Sequence, residues 1–179
     1  MRLHAFVVSC RAIVVMAAVC FAVIRVEAAQ ERPPLVSDDK DHAVVFELGA
    51  AGDWSRAEGW HPGGTFAFEI TPIEHWLELE IGVTAIAAGG AVEMPVDVLF
   101  KKPWRFSSRF EFMIGAGPEL VHASGPDGGT FWGGEAVLDF MFWPTKNVGW
   151  YLEPGYEITF RDGARQHGFG LAAGLLVGR

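Results

Sequence analysis

Two sets of residues in this 179-residue chain could do chemistry. The first is small: His122 and Ser124, in the run Val121-His-Ala-Ser124, share one face of an extended strand end, and Glu135 begins the next segment. A histidine beside a serine can take the hydroxyl proton for attack on an ester, with a carboxylate orienting the imidazole. The second set is acidic: Glu47, Glu69, Glu78, Glu80, Glu93, Asp97, Glu111, Glu119, Glu135, Asp139, Glu153 and Glu157, spread over almost every segment, with Lys101, Arg109 and Arg161 as the basic residues among them. If brought together, these groups must be hydrogen-bonded, hydrated, proton-sharing or cation-bound. Beyond residue 41 the histidines are His42, His61, His75, His122 and His167, scattered without metal-ligand spacing, so neither a metal nor another cofactor is expected.

The elements that must position these residues repeat with a period of two, the mark of β-strands. Alternation runs through residues 42–52, 65–72, 76–86, 92–100, 109–121, 135–143, 150–161 and 167–177. Between them, residues 53–64, 101–108 and 123–134 read as loops, and residues 72–75, 87–90 and 144–147 as turns. In the sixth segment, Glu135-Ala-Val-Leu-Asp-Phe-Met-Phe-Trp143, the residues Ala136, Leu138, Phe140 and Phe142 share one face. Glu135, Val137, Asp139 and Met141 share the other. An unpaired carboxylate in an apolar core is costly, so Asp139 requires a polar side to face. Pro95, Pro118 and Pro154 fall within strands, each removing a ladder donor and predicting a bulge or an early strand end.

Alternation alone does not say which face is dry. One face carries large Phe, Leu, Ile and Val residues in every segment; the other carries Gly, Ala, Thr and carboxylates. So many large apolar residues suit an outer surface better than the interior of a small barrel. Trp54, Trp60, Trp76, Trp104, Trp143 and Trp150 lie at or just beyond strand ends, where a membrane interface holds amphipathic rings. Eight segments, each near the roughly 9–11 residues that a tilted strand needs to cross a bilayer, predict an all-β fold: an eight-stranded antiparallel up-and-down transmembrane β-barrel over residues 42–179.

The first residues read differently. Arg2 and Arg11 flank the start of the apolar run Ala12-Ile-Val-Val-Met-Ala-Ala-Val-Cys-Phe-Ala-Val-Ile24, and Ala28 and Ala29 supply small residues for cleavage. Residues 1–28 are expected to be a cleaved secretory signal peptide, followed by a leader over residues 29–41. Cys10 and Cys20 both fall in the signal segment, so the exported chain is expected to lack disulfide and thiolate chemistry. Removing Arg2, Arg11, Arg25 and Glu27 from 14 basic and 22 acidic residues leaves 11 and 21. An acidic exported chain argues against nucleic acid as a partner.

On these segments, the chain resembles the small outer-membrane β-barrel proteins of Gram-negative bacteria, of the OmpA transmembrane-domain and OmpW type, over residues 42–179. The resemblance implies residence in the outer membrane, contact with its lipid, and insertion by the barrel-assembly machinery. It implies a structural or surface-interacting role, with residues 53–64 and 123–134 as contact surfaces for a partner that the sequence does not name. The His122-x-Ser124 pair with Glu135 resembles in part the arrangement of PagL-type lipid A deacylases, which would imply an ester-cleaving activity at the membrane surface. The non-enzymatic barrel is the leading expectation; such an esterase, or a narrow cation-preferring channel, is the alternative.

Overall fold

A computed structural model describes residues 44–55, 59–125, 128–161 and 163–178. The expected signal peptide, the leader and His42 lie outside the described residues. Among those described, eight strands follow in chain order: β1 (Val44–Ser55), β2 (Gly59–Ile73), β3 (Leu77–Ala88), β4 (Ala91–Ser107), β5 (Phe110–Ala123), β6 (Gly129–Phe142), β7 (Val148–Arg161) and β8 (Ala164–Gly178). Each pairs antiparallel with its sequence neighbour, and β1 closes on β8 from Val45↔Gly178 to Ser55↔Gly168. Closure leaves no strand edge, and so no row of unpaired backbone groups to meet lipid.

The strands run further than alternation predicted. β1 and β2 stay in register as far as Ser55↔Gly59, so most of the expected loop 53–64 is hairpin. Residues 101–107 continue β4, with Lys101 facing Gly115 and Arg105 facing Glu111, and residues 129–134 begin β6. Glycines, prolines and charges read as breakers in an isolated strand. Here one hairpin partner carries the ladder outward, β1 for residues 59–62 and β5 for residues 102–107 and 129–131, and an inward charge meets the lumen instead of an apolar core. The β3–β4 connection is tight: Gly89 and Gly90 both have positive φ, as a two-residue type I′ hairpin requires.

The three prolines do not end their strands. Pro95 pairs with Val121, Pro118 with Gly134 and Pro154 with Leu171, with no register shift at any of them. On its other side each leaves a short gap in the pairing, after which the same register resumes: Val83↔Val96 to Ile86↔Glu93, Asp97↔Glu119 to Phe100↔Ala116, and Val137↔Gly155 to Phe140↔Leu152. A missing N–H thus weakens one ladder while the other holds the strand in place. The register shifts fall elsewhere, between Ile70 and Ile73 and between Arg105 and Ser107.

The sheet is inside out relative to a soluble barrel. Leu48 (65 % exposed) faces Leu175 (59 %) across β1–β8, and Phe46, Phe66, Ile81, Phe100, Ile114 and Leu138 also point outward. Glu47, Glu69, Glu80, Lys101 and Asp139 are buried inside. We call the end where β1 begins and β8 finishes the near end, and the other the far end. Trp76, Trp104 and Trp150 mark the near rim; Phe142 stacks on Trp150 at 4.1 Å and Trp104 on Phe112 at 5.9 Å. Trp54, Trp60 and Trp132 mark the far rim, exposed to the outside. These are the two aromatic girdles of a membrane-spanning barrel. Trp143 departs from the expectation: it is 6 % exposed and turned inward. It continues the odd-numbered face of β6, so the alternation of Glu135, Val137, Asp139 and Met141 already carried that signal.

Candidate functional site in the barrel lumen

The lumen is layered. At the near end Val45, Met113, Met141, Trp143, Tyr151 and Leu176 pack together as a buried apolar plug. They come from β1, β5, β6, the residue after β6, β7 and β8, so the plug reaches across the barrel. Leu176 is fully buried at the end of β8, on the same even-numbered face as Gly170, Ala172 and Gly174.

Above the plug lies a carboxylate cage around one ammonium. Lys101 projects from β4 and is fully buried. Its Nζ lies 2.9 Å from Asp139 Oδ2, 2.6 Å from Glu153 Oε2 and 3.8 Å from Glu69 Oε2, and it ion-pairs with Glu80. Glu47 completes the group: oxygens of Glu47, Glu69, Glu80 and Asp139 lie within 4.8 Å of one another. That spacing could hold a metal ion, but the ammonium already sits against three of the four. A tethered cation inside a low-dielectric cage is strongly held, because neither partner can return to water without opening the barrel. A Cβ at Gly115, directly across β4–β5, would stand 2.7 Å from Lys101 Cγ, so the absent side chain is what lets the lysine lie along the wall.

Toward the far end the lumen widens into a vestibule of about 610 Å³, lined by Asp53, Asp97, Glu119, Glu135, Glu157 and Arg161 among others. Two acidic rungs cross it, Asp97↔Glu119 on β4–β5 and Glu135↔Glu157 on β6–β7. Like charges directly opposite each other oppose folding, so these pairs call for a counter-charge or a proton. Glycines again make the room: a Cβ on Gly82 would stand 2.7 Å from Asp97 Oδ2, one on Gly133 2.8 Å from Glu119 Oε2, and one on Gly155 2.6 Å from Glu135 Oε1. Glu119 Oε2 and Asp97 Oδ1 are buried without a hydrogen-bond partner. At the mouth Arg161 lies 3.3 Å from Glu93 and over the Phe131 ring at 4.5 Å.

All twelve carboxylates named from the sequence occupy inward positions; Glu78 and Glu111 are also buried, the latter 3.6 Å from Arg105. Of the three basic residues, Lys101 and Arg161 are in the lumen, and Arg109 is not. Arg109 lies exposed in the β4–β5 turn at the near end, because β4 runs on to Ser107 and the turn moves with it. Asp53, which sequence reasoning left in a loop, lines the vestibule. Its odd position on β1, continuing Glu47, Gly49 and Ala51, was the available signal.

The esterase-like trio is not assembled. His122 is exposed, with Nδ1 3.1 Å from Thr130 Oγ1, and Ser124 Oγ accepts a hydrogen bond from the Val92 N–H at 2.8 Å. Glu135 lies on the lumen side, opposite Gly117 and Glu157. Alternation puts His122 and Glu135 on opposite sides of the wall, and their strands pair without the bulge that would bring them to one side.

No family model matches the sequence, and no curated protein matches it. Solved structures do match the fold. Neisserial surface protein A is 16 % identical at a TM-score of 0.53, over 75 % of this chain and 94 % of its own. The outer membrane protein OprG of Pseudomonas aeruginosa is 9 % identical at 0.58, over 76 % and 95 %. The N-terminal β-barrel domain of Pseudomonas aeruginosa OprF is 11 % identical at 0.52, over 76 % and 99 %. With its closed eight-strand sheet, outward apolar band and two aromatic girdles, the chain has the fold of the small outer-membrane β-barrels.

Proposed function

We propose that the protein is an exported outer-membrane barrel, with residues 1–28 as its cleaved signal peptide, that works as a closed-bottomed acidic cup at the membrane surface. The observation that carries this reading is the lumen's asymmetry: an apolar plug and a lysine-filled cage at and above the near end, and an open acidic vestibule at the far end. Water and ions cross a barrel only where polar groups line a continuous path. The six packed side chains of the plug interrupt that path, so the structure favours a surface-interacting role over conduction. The far-end rim and vestibule are then the contact surface.

Planar-bilayer recording tests the closed cup. Wild-type protein is expected to be silent, and Trp143→Ala combined with Tyr151→Ala, which removes the two aromatic rings of the plug, is expected to show cation-preferring openings. A conducting wild type would reject the reading. Orientation is tested with Ala164→Cys at the far end, where a membrane-impermeant maleimide should label intact cells, whereas Ser108→Cys at the near end should label only after lysis. The exported chain carries no other cysteine if residues 1–28 are removed.

A further inference from the structure

We infer that the vestibule binds an aliphatic oligoamine, protonated at two or three nitrogens, between the acidic rungs Asp97–Glu119 and Glu135–Glu157. The inference rests on the reading of the lumen as a cup open at its far end, and names what the cup takes.

Charge asymmetry between the layers is the first ground. The cage has its own cation in Lys101, whereas among the described residues Glu119 forms no ion pair, although Arg161 and Arg165 also line the vestibule. Glu119 and Asp97 are 1 % and 7 % exposed, yet Glu119 Oε2 and Asp97 Oδ1 have no hydrogen-bond partner, and both residues stand in the vestibule wall. A buried carboxylate oxygen left without a donor is destabilising, and an ammonium N–H is the donor that satisfies both its charge and its lone pair.

Spacing then selects the kind of cation. Among the described residues, the carboxylate group tight enough for one bare metal ion is Glu47, Glu69, Glu80 and Asp139, in the cage and not in the vestibule. The vestibule rungs belong to β4–β5 and β6–β7; Glu119 and Glu135 stand on neighbouring strands, while the rung centres are two strand spacings apart, about 10 Å around the wall. A ligand serving both must carry positive charges at separate points along one chain. Beside the acidic groups the wall presents the buried Ile86, Leu99 and Val121, which suit methylenes better than a hydration shell. Charged nitrogens joined by short methylene runs meet both requirements, and the volume of about 610 Å³ admits such a chain with its remaining water.

Spermidine is the probe. Titration calorimetry of the folded barrel in zwitterionic micelles is expected to show saturable binding to one site. Magnesium chloride at equal ionic strength should compete only weakly. Asp97→Asn with Glu119→Gln should weaken binding at least about tenfold, and Glu135→Gln with Glu157→Gln should do so independently; each pair is first checked for the heat-dependent gel shift of a folded barrel. Absence of saturable heat with folded wild type overturns the inference, as does equal displacement by magnesium or binding that both double variants leave unchanged. Failure of this kind in a barrel that stays silent in bilayers leaves the closed cup standing. A conducting wild type removes the cup itself.

Discussion

Lys101 is the residue on which the inner electrostatics turn. One ammonium stands against Glu69, Glu80, Asp139 and Glu153, with Glu47 beside them. Breaking a buried ion pair by removing one partner is more destabilising than never having built it, because the remaining charges stay buried. Lys101→Met is therefore expected to lower unfolding stability in urea by about 3–5 kcal/mol. The smaller Lys101→Ala also empties the centre of the four-carboxylate group, whose oxygens lie within 4.8 Å of one another. Hard divalent cations favour such oxygen donors. Millimolar calcium should accordingly raise the urea midpoint of Lys101→Ala and leave that of the wild type unmoved; an equal response of both would show that the ammonium does not occupy the cation position.

At the scale of the strand, inward charge and inward glycine go together. Asp97 lies over Gly82, Lys101 over Gly115, Glu119 over Gly133 and Glu135 over Gly155, each a cross-strand or adjacent neighbour. An eight-strand barrel has room inside only for side chains, so a long charged residue fits where the facing position has none. Gly115→Val would place a Cβ 2.7 Å from Lys101 Cγ and 3.0 Å from Val137 Cγ2. Overpacking of this kind costs about 1–3 kcal/mol, and it should appear as a lower urea midpoint with the gel shift of a folded barrel retained. The same scale explains what was legible in the sequence. Alternation located all eight strands, but their ends were underestimated wherever glycine, proline or charge interrupted the apolar face, as at residues 59–64, 101–107 and 129–134. Those residues are poor strand formers alone and become strand by extending a hairpin ladder already in register, with β1 for residues 59–62 and with β5 for residues 102–107 and 129–131.

For the whole molecule, the decisive property is that its large apolar residues face out. Strands of 12–17 residues exceed the roughly 9–11 needed to cross a bilayer at a tilt, so parts of the wall stand beyond the apolar band. Leu48 and Leu175 face each other on the outer surface of β1–β8. A lysine at either position, if near the bilayer midplane, should lower stability in lipid vesicles by about 2–4 kcal/mol. A soluble barrel would tolerate the same exposed substitution with almost no change, so a near-zero effect for Leu48→Lys would reject the membrane-facing assignment.

The sequence by itself determined the period, the number of strands, which face of each is apolar and the inward direction of the acidic side chains. These follow from the two-residue repeat of an extended chain and the composition of its faces, which are local properties. Trp143 and Asp53 were legible in the same way, from their odd positions, although their places beyond the apolar runs concealed it. Only the tertiary structure decided which inward groups meet. That Lys101 on β4 stands against Asp139 on β6 and Glu153 on β7, that Trp143 helps close the near end, and that His122 and Glu135 lie on opposite sides of the wall depend on barrel closure and strand stagger. Those are set by the pairing of all eight strands at once, and no single segment carries them.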